Sequence, residues 1–210
     1  MGSSQRRERE REATHTLILD AARELFAAEG YEAVTMRKIA EKIEYSATAI
    51  YFHFKDKLSL LRELCDRDFA AFAAVLGRTA TVKDPVERLR RLGYAYVDFA
   101  LEFPNHYRFL FMTPHPPLTA EGSAIQKGNP DQDAYALLRA TVAEAIAQGR
   151  LEPGFKDPDL ASQMAWGAAH GVVGLHNVKC HDSWIAWRPP RNVARKLIDA
   201  ALDGMVRKGS

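Results

Sequence analysis

Leu17, Ile18, Ala21, Leu25 and Phe26 recur at helical spacing, which predicts an amphipathic helix from about Ala13 to Glu29 with Gly30 as its stop signal. Thr35 is placed to cap a second helix, Met36 to Ile43, only about two turns long. Glu44 and Tyr45 break the pattern, and Ser46 is placed to cap a third short helix, Ala47 to His53. Lys55-Asp56-Lys57 punctuates the chain again before Leu58, Leu61, Leu64 and Cys65 open a longer amphipathic helix. Two short helices across a tight turn, braced by longer ones, follow the helix-turn-helix plan. Periodicity alone serves equally well for a generic helical bundle whose short helices close a core. In either case Ile39, Ala40, Ile43, Ile50 and Phe54 must pack, because helices this short are marginal alone.

The rest of the chain also reads as helix. Asp84-Pro85 starts a helix to about Phe103, and Pro104 starts a short aromatic one through Tyr107, Phe109 and Phe111. Thr113 to Pro130 carries four prolines and two glycines and is expected to be a long, mobile loop. Further helices are expected over Pro130–Gln148 (closed by Gly149), from Asp157-Pro158 to about Lys179, and from about Arg191 to Lys208. No period-two alternation and no internal repeat is present. The expectation is an all-α protein of about nine helices: an N-terminal arm and helix-turn-helix domain over 1–57, and a helical domain over 58–210.

Composition fits this picture: 47% of the residues are apolar and 27% charged, the balance of a soluble protein with a substantial core. No apolar run is long enough to span a bilayer, and Met1 to Glu12 lacks the apolar centre of a signal peptide. Cys65 and Cys180 are far apart and suit a reducing cytoplasm, the expected location. The net charge of +2 does not announce a nucleic-acid binder, and the first 57 residues carry ten Lys/Arg against ten Asp/Glu. A DNA-binding argument must therefore rest on where charges sit. In the arm, Arg6, Arg7, Arg9 and Arg11 suit tracking of a minor groove, but Glu8, Glu10 and Glu12 alternate with them and cancel much of the field, which favours a solvated, disordered extension.

Thr16 to Leu61 resembles the TetR family of bacterial regulators. The residues that carry the resemblance are Ile18 through Phe26, Gly30-Tyr31, Val34 through Ala40, Ser46, Ala49-Ile50-Tyr51, His53-Phe54, Lys57 and Leu60-Leu61. The resemblance implies that Ala47–His53 is a recognition helix entering the major groove of operator DNA. The implied DNA-binding residues are Thr35, Arg37, Ala47, Thr48, Ala49, Tyr51, His53 and Lys57. Tyr51, His53 and Lys57 carry donors for phosphates, Thr35 and Arg37 open the second helix, and the small side chains at 47–49 permit close approach to the groove. Two departures from the family pattern bear on the turn and the readout: Glu44 stands where glycine is usual, and Thr48 also replaces a common glycine.

Met164 to Leu175 resembles the Trp-His-Gly (WHG) type of C-terminal domain, with Trp166 and His170 one turn apart. This implies a homodimer through the last two helices, with Ala165, Ala168, Ala169 and Val172 facing Val193, Leu197, Ala200, Ala201 and Met205. Close approach of another helix would also offset the cost of Gly167, Gly171 and Gly174 within a helix. Phe99, Phe103, Tyr107, Phe111, Met112, Met164, Trp166 and His170 are the candidate lining for a small apolar effector. The implied function is a transcriptional regulator, a repressor released from a palindromic operator by that effector.

Other functions find little support. There is no phosphate-cradling glycine loop, no nucleophile with a placed base and no pair of carboxylates on an apolar face. No catalytic residue, metal or cofactor is expected, and no membrane partner. The alternative is a helical metal- or ligand-binding enzyme-like protein, or an interaction protein, without DNA binding; His176, Cys180, His181 and Asp182 form the candidate metal cluster.

Overall fold

A computed structural model describes residues 3–207. In chain order it forms α1 (Ser3–Glu29), α2 (Met36–Lys42), α3 (Ala47–His53), α4 (Lys57–Gly77), a 3-10 turn (Arg78–Thr81), α5 (Pro85–Glu102), α6 (Pro104–Met112), α7 (Ala134–Ala147), α8 (Pro158–Lys179) and α9 (Pro190–Met205). Among the described residues there are nine α-helices and no strand, only a single antiparallel bridge between Leu151 and Val206. The expected end of the last helix, Lys208, lies outside the described residues.

The chain divides into two compact units. One takes the chain through Asp68 together with Asn105–Ala124, and the other takes Phe69–Pro104 with the chain from Ile125 onward. The boundary expected between 57 and 58 falls at the start of α4, whereas the units part within that helix.

In the first unit, Ile18, Phe26, Ile39, Ile50, Leu60, Leu61 and Leu64 are fully buried, so α1 and α4 clamp the two seven-residue helices. Burying each such side chain stabilises by about 1.5–3 kcal/mol, far more than the intrinsic helicity of two turns. Leu17 of the expected stripe is exposed and Ile43 only half-buried.

Ionic contacts add to this core. Arg23 is buried on α1, where its Nε and Nη2 donate to the two oxygens of Asp68 on α4 at 2.7 and 2.8 Å. Its Nη1 donates to Asp20 at 2.5 Å. Burial, with Asp68 and Asp66 nearby, pushes the Cys65 thiol up to about 12, which leaves it an inert core group.

Two expectations for this unit are corrected. The arm is not a disordered extension: α1 begins at Ser3. Its alternating charges are helix-compatible pairs, Arg6 with Glu10 (3.4 Å) and Glu12 with Arg67 of α4 (3.1 Å). Part of the proline-rich loop is tied down as well. Arg62 donates to the carbonyls of Thr119 and Glu121 at 2.9 and 2.7 Å, and Asp66 accepts from Ser123 and Ala124 at 2.7 and 2.8 Å.

The caps follow the sequence. Thr35 accepts from the Lys38 amide and Ser46 from the Ala49 amide, both at 3.2 Å. Between them α2 ends in a Schellman turn: the Glu44 amide donates to Glu41 and the Tyr45 amide to Ala40, at 3.2 and 2.9 Å. This closure requires a left-handed residue, and Glu44 sits at φ 59°.

The second unit packs α5 against α7, α8 and α9. Asp84 caps α5 through the Val86 and Glu87 amides, both at 2.9 Å. Asp133, rather than Pro130, starts α7, accepting from Tyr135 and Ala136 at 3.0 and 3.1 Å. Gly93 lets α5 approach α9, since a Cβ there would stand 3.0 Å from Ile198. Arg90 then reaches Asp199 and Asp203, and the Tyr94 hydroxyl donates to Asp199 at 2.5 Å.

On α8 and α9 the residues divide cleanly. Ala169, Val173, Ala194, Ile198, Leu202 and Met205 are buried in the unit. Leu160, Met164, Gly167, Gly171 and Val178 are exposed at alternating spacings of three and four, apart from the half-buried Gly174 between the last two. Val193, Leu197, Ala200 and Gly204 do the same on α9. The expected outer face is thus corrected: Ala169 and Met205 point inward. Gly167, Gly171 and Gly204 have open space where a Cβ would be, so nothing among the described residues requires them.

The turn geometry predicts that Glu44→Gly will relieve the left-handed strain at a residue whose amide already closes the Schellman turn. The expected gain is about 0.5–1 kcal/mol, once the greater freedom of glycine in the unfolded chain is set against it. It should appear as a higher urea midpoint at unchanged slope.

Candidate nucleic-acid interface

Because Ile50 faces the core, the opposite side of α3 has to face out. Thr48, Tyr51 and Phe52 are exposed, Tyr51 by 55% and Phe52 by 73%. Ala47 and Ala49 are half-buried and leave the helix slim enough to approach a groove. Thr35 is exposed with its hydroxyl engaged as a cap, and Arg37 is exposed and paired with Glu41 at 2.7 Å. These six expected residues share one exposed stretch of α2 and α3.

His53 and Lys57 are placed differently. Lys57 is turned inward: its ammonium donates to the carbonyls of Tyr31 and Val34, both at 2.9 Å, and lies 4.0 Å from the Tyr31 ring centroid. Two of its three protons therefore close the end of the α1–α2 connection, and only the third is left for a phosphate. The His53 ring stands 5.6 Å from that of His15, and its Nδ1 is buried without a hydrogen-bond partner. His15 stacks on Phe54 (4.5 Å) and bonds Glu63 through Nε2 at 2.6 Å. Desolvation lowers the His53 pKa, with His15 and Arg11 adding to the fall and Glu12 opposing it. Sequence reasoning missed Phe52 and Tyr45, which is also exposed. The signal for Phe52 was the inward position of Ile50, which leaves residues 48, 51 and 52 to solvent.

The expected effector residues are distributed over both units. Tyr107, Phe111 and Met112 belong to the first, with Tyr107 fully buried and its ring 5.5 Å from Phe111. Phe99, Phe103, Met164, Trp166 and His170 belong to the second. There Phe99 is buried 5.4 Å from Phe103, itself partly exposed, while Met164 lies on the outer stripe of α8 and not in the interior. Trp166 meets His170 edge-on at 6.3 Å, and the Tyr96 hydroxyl is hydrogen-bonded to His170 Nδ1 at 2.8 Å. Burial lowers the His170 pKa, so the ring is a neutral polar group within an aromatic cluster. Among the described residues no three His, Cys, Asp or Glu are placed to hold a metal ion, and Asp182 accepts instead from the Trp184 amide at 3.0 Å. No described helix is long and apolar enough to cross a membrane.

Residues 18–64 match the family model described as bacterial regulatory proteins, tetR family. Residues 89–201, more than half of the chain, match the model described as tetracyclin repressor-like, C-terminal domain. The chain belongs to the TetR family. Among the relatives of this TetR-family chain is the uncharacterized HTH-type transcriptional regulator YobS of Bacillus subtilis, 26% identical over 102 residues, which are 49% of this chain and 53% of YobS. The HTH-type transcriptional repressor AcnR of Corynebacterium diphtheriae is 39% identical over 66 residues, 31% of this chain and 35% of AcnR. The chain thus spans about half or less of the curated relatives it matches. SmeT, the repressor of the Stenotrophomonas maltophilia multidrug efflux pump SmeDEF, shares the fold at a TM-score of 0.67 with 24% identity, covering 95% of this chain and 93% of SmeT. A SmeT–triclosan complex superimposes equally well, with a TM-score of 0.68.

The surroundings of His53 set the sign of a pH effect in this TetR-family chain. The folded protein disfavours the charged ring, so protonation favours the unfolded state. The stability this arrangement contributes is complete above about pH 6.5, the ordinary imidazole value, and is lost as pH falls below it. His53→Gln removes the group. Between about pH 7 and pH 5.5, the urea midpoint of the variant should fall less than that of the parent, to which His106 and His170 contribute equally in both proteins.

Proposed function

We propose that this chain is a DNA-binding transcriptional regulator of the cytoplasm that acts as a homodimer, represses from a palindromic operator, and is released by a small apolar effector. The observation that carries the DNA reading is the outward face of α3. Thr48 and Tyr51 project from a helix held rigidly by Ile50 and by caps at both ends of the turn. Thr48 offers a hydroxyl and a methyl to base edges, Tyr51 a hydroxyl to a phosphate, and Arg37 a guanidinium to a phosphate or a guanine. Lys57 joins them with one proton and His53 through its remaining ring nitrogen, while Ala47 and Ala49 set the closeness of approach.

The homodimer reading is supported by the exposed stripes of α8 and α9. Spacings of three and four are those of a helix seam that meets other helices, and glycine on such a seam admits close backbone approach. A two-fold pair then carries two α3 helices, which enter successive major grooves when about 34–36 Å apart. The effector reading is supported by the aromatic cluster of the second unit, where Tyr96 and His170 form a neutral hydrogen-bonding pair. Such a cluster suits an uncharged, largely apolar molecule. The effector need only favour one spacing of the α3 pair, and coupling of about 1–3 kcal/mol is usual for such switches.

Selection of binding sites from a pool of random duplexes should return a palindromic sequence, and a gel shift on it should weaken steeply with salt. Tyr51→Ala should abolish that shift while sedimentation still reports a dimer. Retention of full binding would refute the placement of DNA on α3. Gly171→Leu, which meets open space within the chain, should leave helicity unchanged and convert the dimer to a monomer with at least tenfold weaker operator binding. A variant that remained dimeric would overturn the α8–α9 seam.

A further inference from the structure

Arg7 and Arg11 lie one turn apart on α1. The Arg11 guanidinium rests over the Phe52 ring, 5.6 Å from its centroid, and Phe52 is the most exposed residue among the large apolar side chains of α3. One turn further on, His15 meets Phe54 and His53. The line Arg7–Arg11–His15 therefore runs alongside the end of α3. The acidic residues that cancel these arginines in sequence are largely engaged elsewhere. Glu10 is paired with Arg6 and Glu12 with Arg67 of α4. Glu8 is exposed and lies one turn from both Glu12 and Arg11, without an ion pair to Arg11 among the described residues. Arg7 and Arg11 are both exposed, and no carboxylate among the described residues pairs with them.

We propose that Arg7 and Arg11 extend the DNA-binding surface beyond α3, each holding a phosphate of duplex DNA that flanks the base pairs α3 faces. The inference rests on the DNA-binding reading above. A guanidinium matches the geometry of a phosphate, and stacking on Phe52 limits the side-chain freedom that Arg11 would lose on binding. Because α1 is helical through this segment, both groups are carried at fixed positions rather than on a loose tail. The surface reads the backbone and not the sequence, so it adds affinity alike at all duplexes.

The test uses the full chain and short duplexes of randomised sequence, with affinity followed by fluorescence anisotropy across a salt series. Each phosphate contact contributes about 0.9 to the slope of log affinity against log salt. The double variant R7A/R11A should therefore lose about two units of slope per protomer and bind more weakly at every salt concentration, with unchanged helicity. R7K/R11K should retain most of the slope, and R6A, which removes an arginine already paired with Glu10, should change it little. An unchanged slope in R7A/R11A overturns the proposal, and an equal loss of slope per arginine in R6A overturns it too, because net charge would then be the cause. If the parent protein shows no salt-dependent affinity for duplex DNA, the DNA-binding reading itself fails and takes this inference with it.

Discussion

Seven residues make two turns of helix, and two turns do not persist in water. Both α2 and α3 have this length, so their positions are imposed from outside. The clamp is the contact between α1 and α4 across the buried Arg23–Asp68 pair, in a unit whose leucine and isoleucine side chains are themselves buried. A bidentate pair permits little sliding of one helix past the other, because a shift along the axis would strand a buried charge. Asp20 completes the guanidinium, and Lys57 fastens the Tyr31 and Val34 carbonyls against the start of α4. With these in place the orientation of α3 follows from its single buried residue, Ile50.

This arrangement explains why side chains of similar chemistry near α3 have different tasks. Tyr51 and Thr48 are exposed, and among the described residues no side-chain hydrogen bond fixes their direction inward. Lys57 and His53 sit where the helix ends meet the clamp, and there the nearest polar groups are backbone carbonyls and another imidazole. A lysine beside the Tyr31 and Val34 carbonyls is drawn to them, since neither has a partner within a helix, although the Tyr31 oxygen also accepts from the Val34 amide at 3.4 Å. Spacing along the sequence ranks these four residues alike as donors near a recognition helix. Only the direction of each side chain separates those that face out from those that hold the helix.

Much of the fold was legible because its punctuation is chemical. Thr35, Ser46 and Asp84 cap their helices with side-chain oxygens, and Glu44 had to accept a left-handed conformation once the turn was recognised. What escaped depended on contacts between distant residues. The alternating charges of residues 6–12 look self-cancelling in one dimension and become i,i+4 pairs only once the helix exists, with Arg67 supplied from another helix. The parting of the units within α4 leaves no mark in its composition. The loop after α6 reads as mobile from its prolines, but Arg62 and Asp66, fifty-odd residues earlier, hold part of it. Of the expected site residues, Thr35, Arg37, Thr48 and Tyr51 lie exposed, Ala47, Ala49, His53 and Lys57 only in part. Phe52 was passed over because an aromatic residue is ordinarily assigned to the core.

The glycines of α8 carry the argument from fold to assembly. A glycine within a helix costs roughly 1 kcal/mol relative to alanine, and Gly167 and Gly171 have no neighbour in the chain that an alanine would displace. Their contribution to the isolated chain is therefore unfavourable. It becomes favourable if a second helix surface comes close enough to touch backbone, as it does along the seam of the proposed homodimer. Leu160, Met164 and Val178 on the same line supply apolar area that the isolated chain leaves in water. A single helix-turn-helix unit reads too few base pairs to discriminate among many sites, and doubling it across a two-fold axis squares that discrimination. The residues that weaken the single chain thus lie where a symmetric pair would gain from them, on the helices farthest in sequence from the surface that reads DNA.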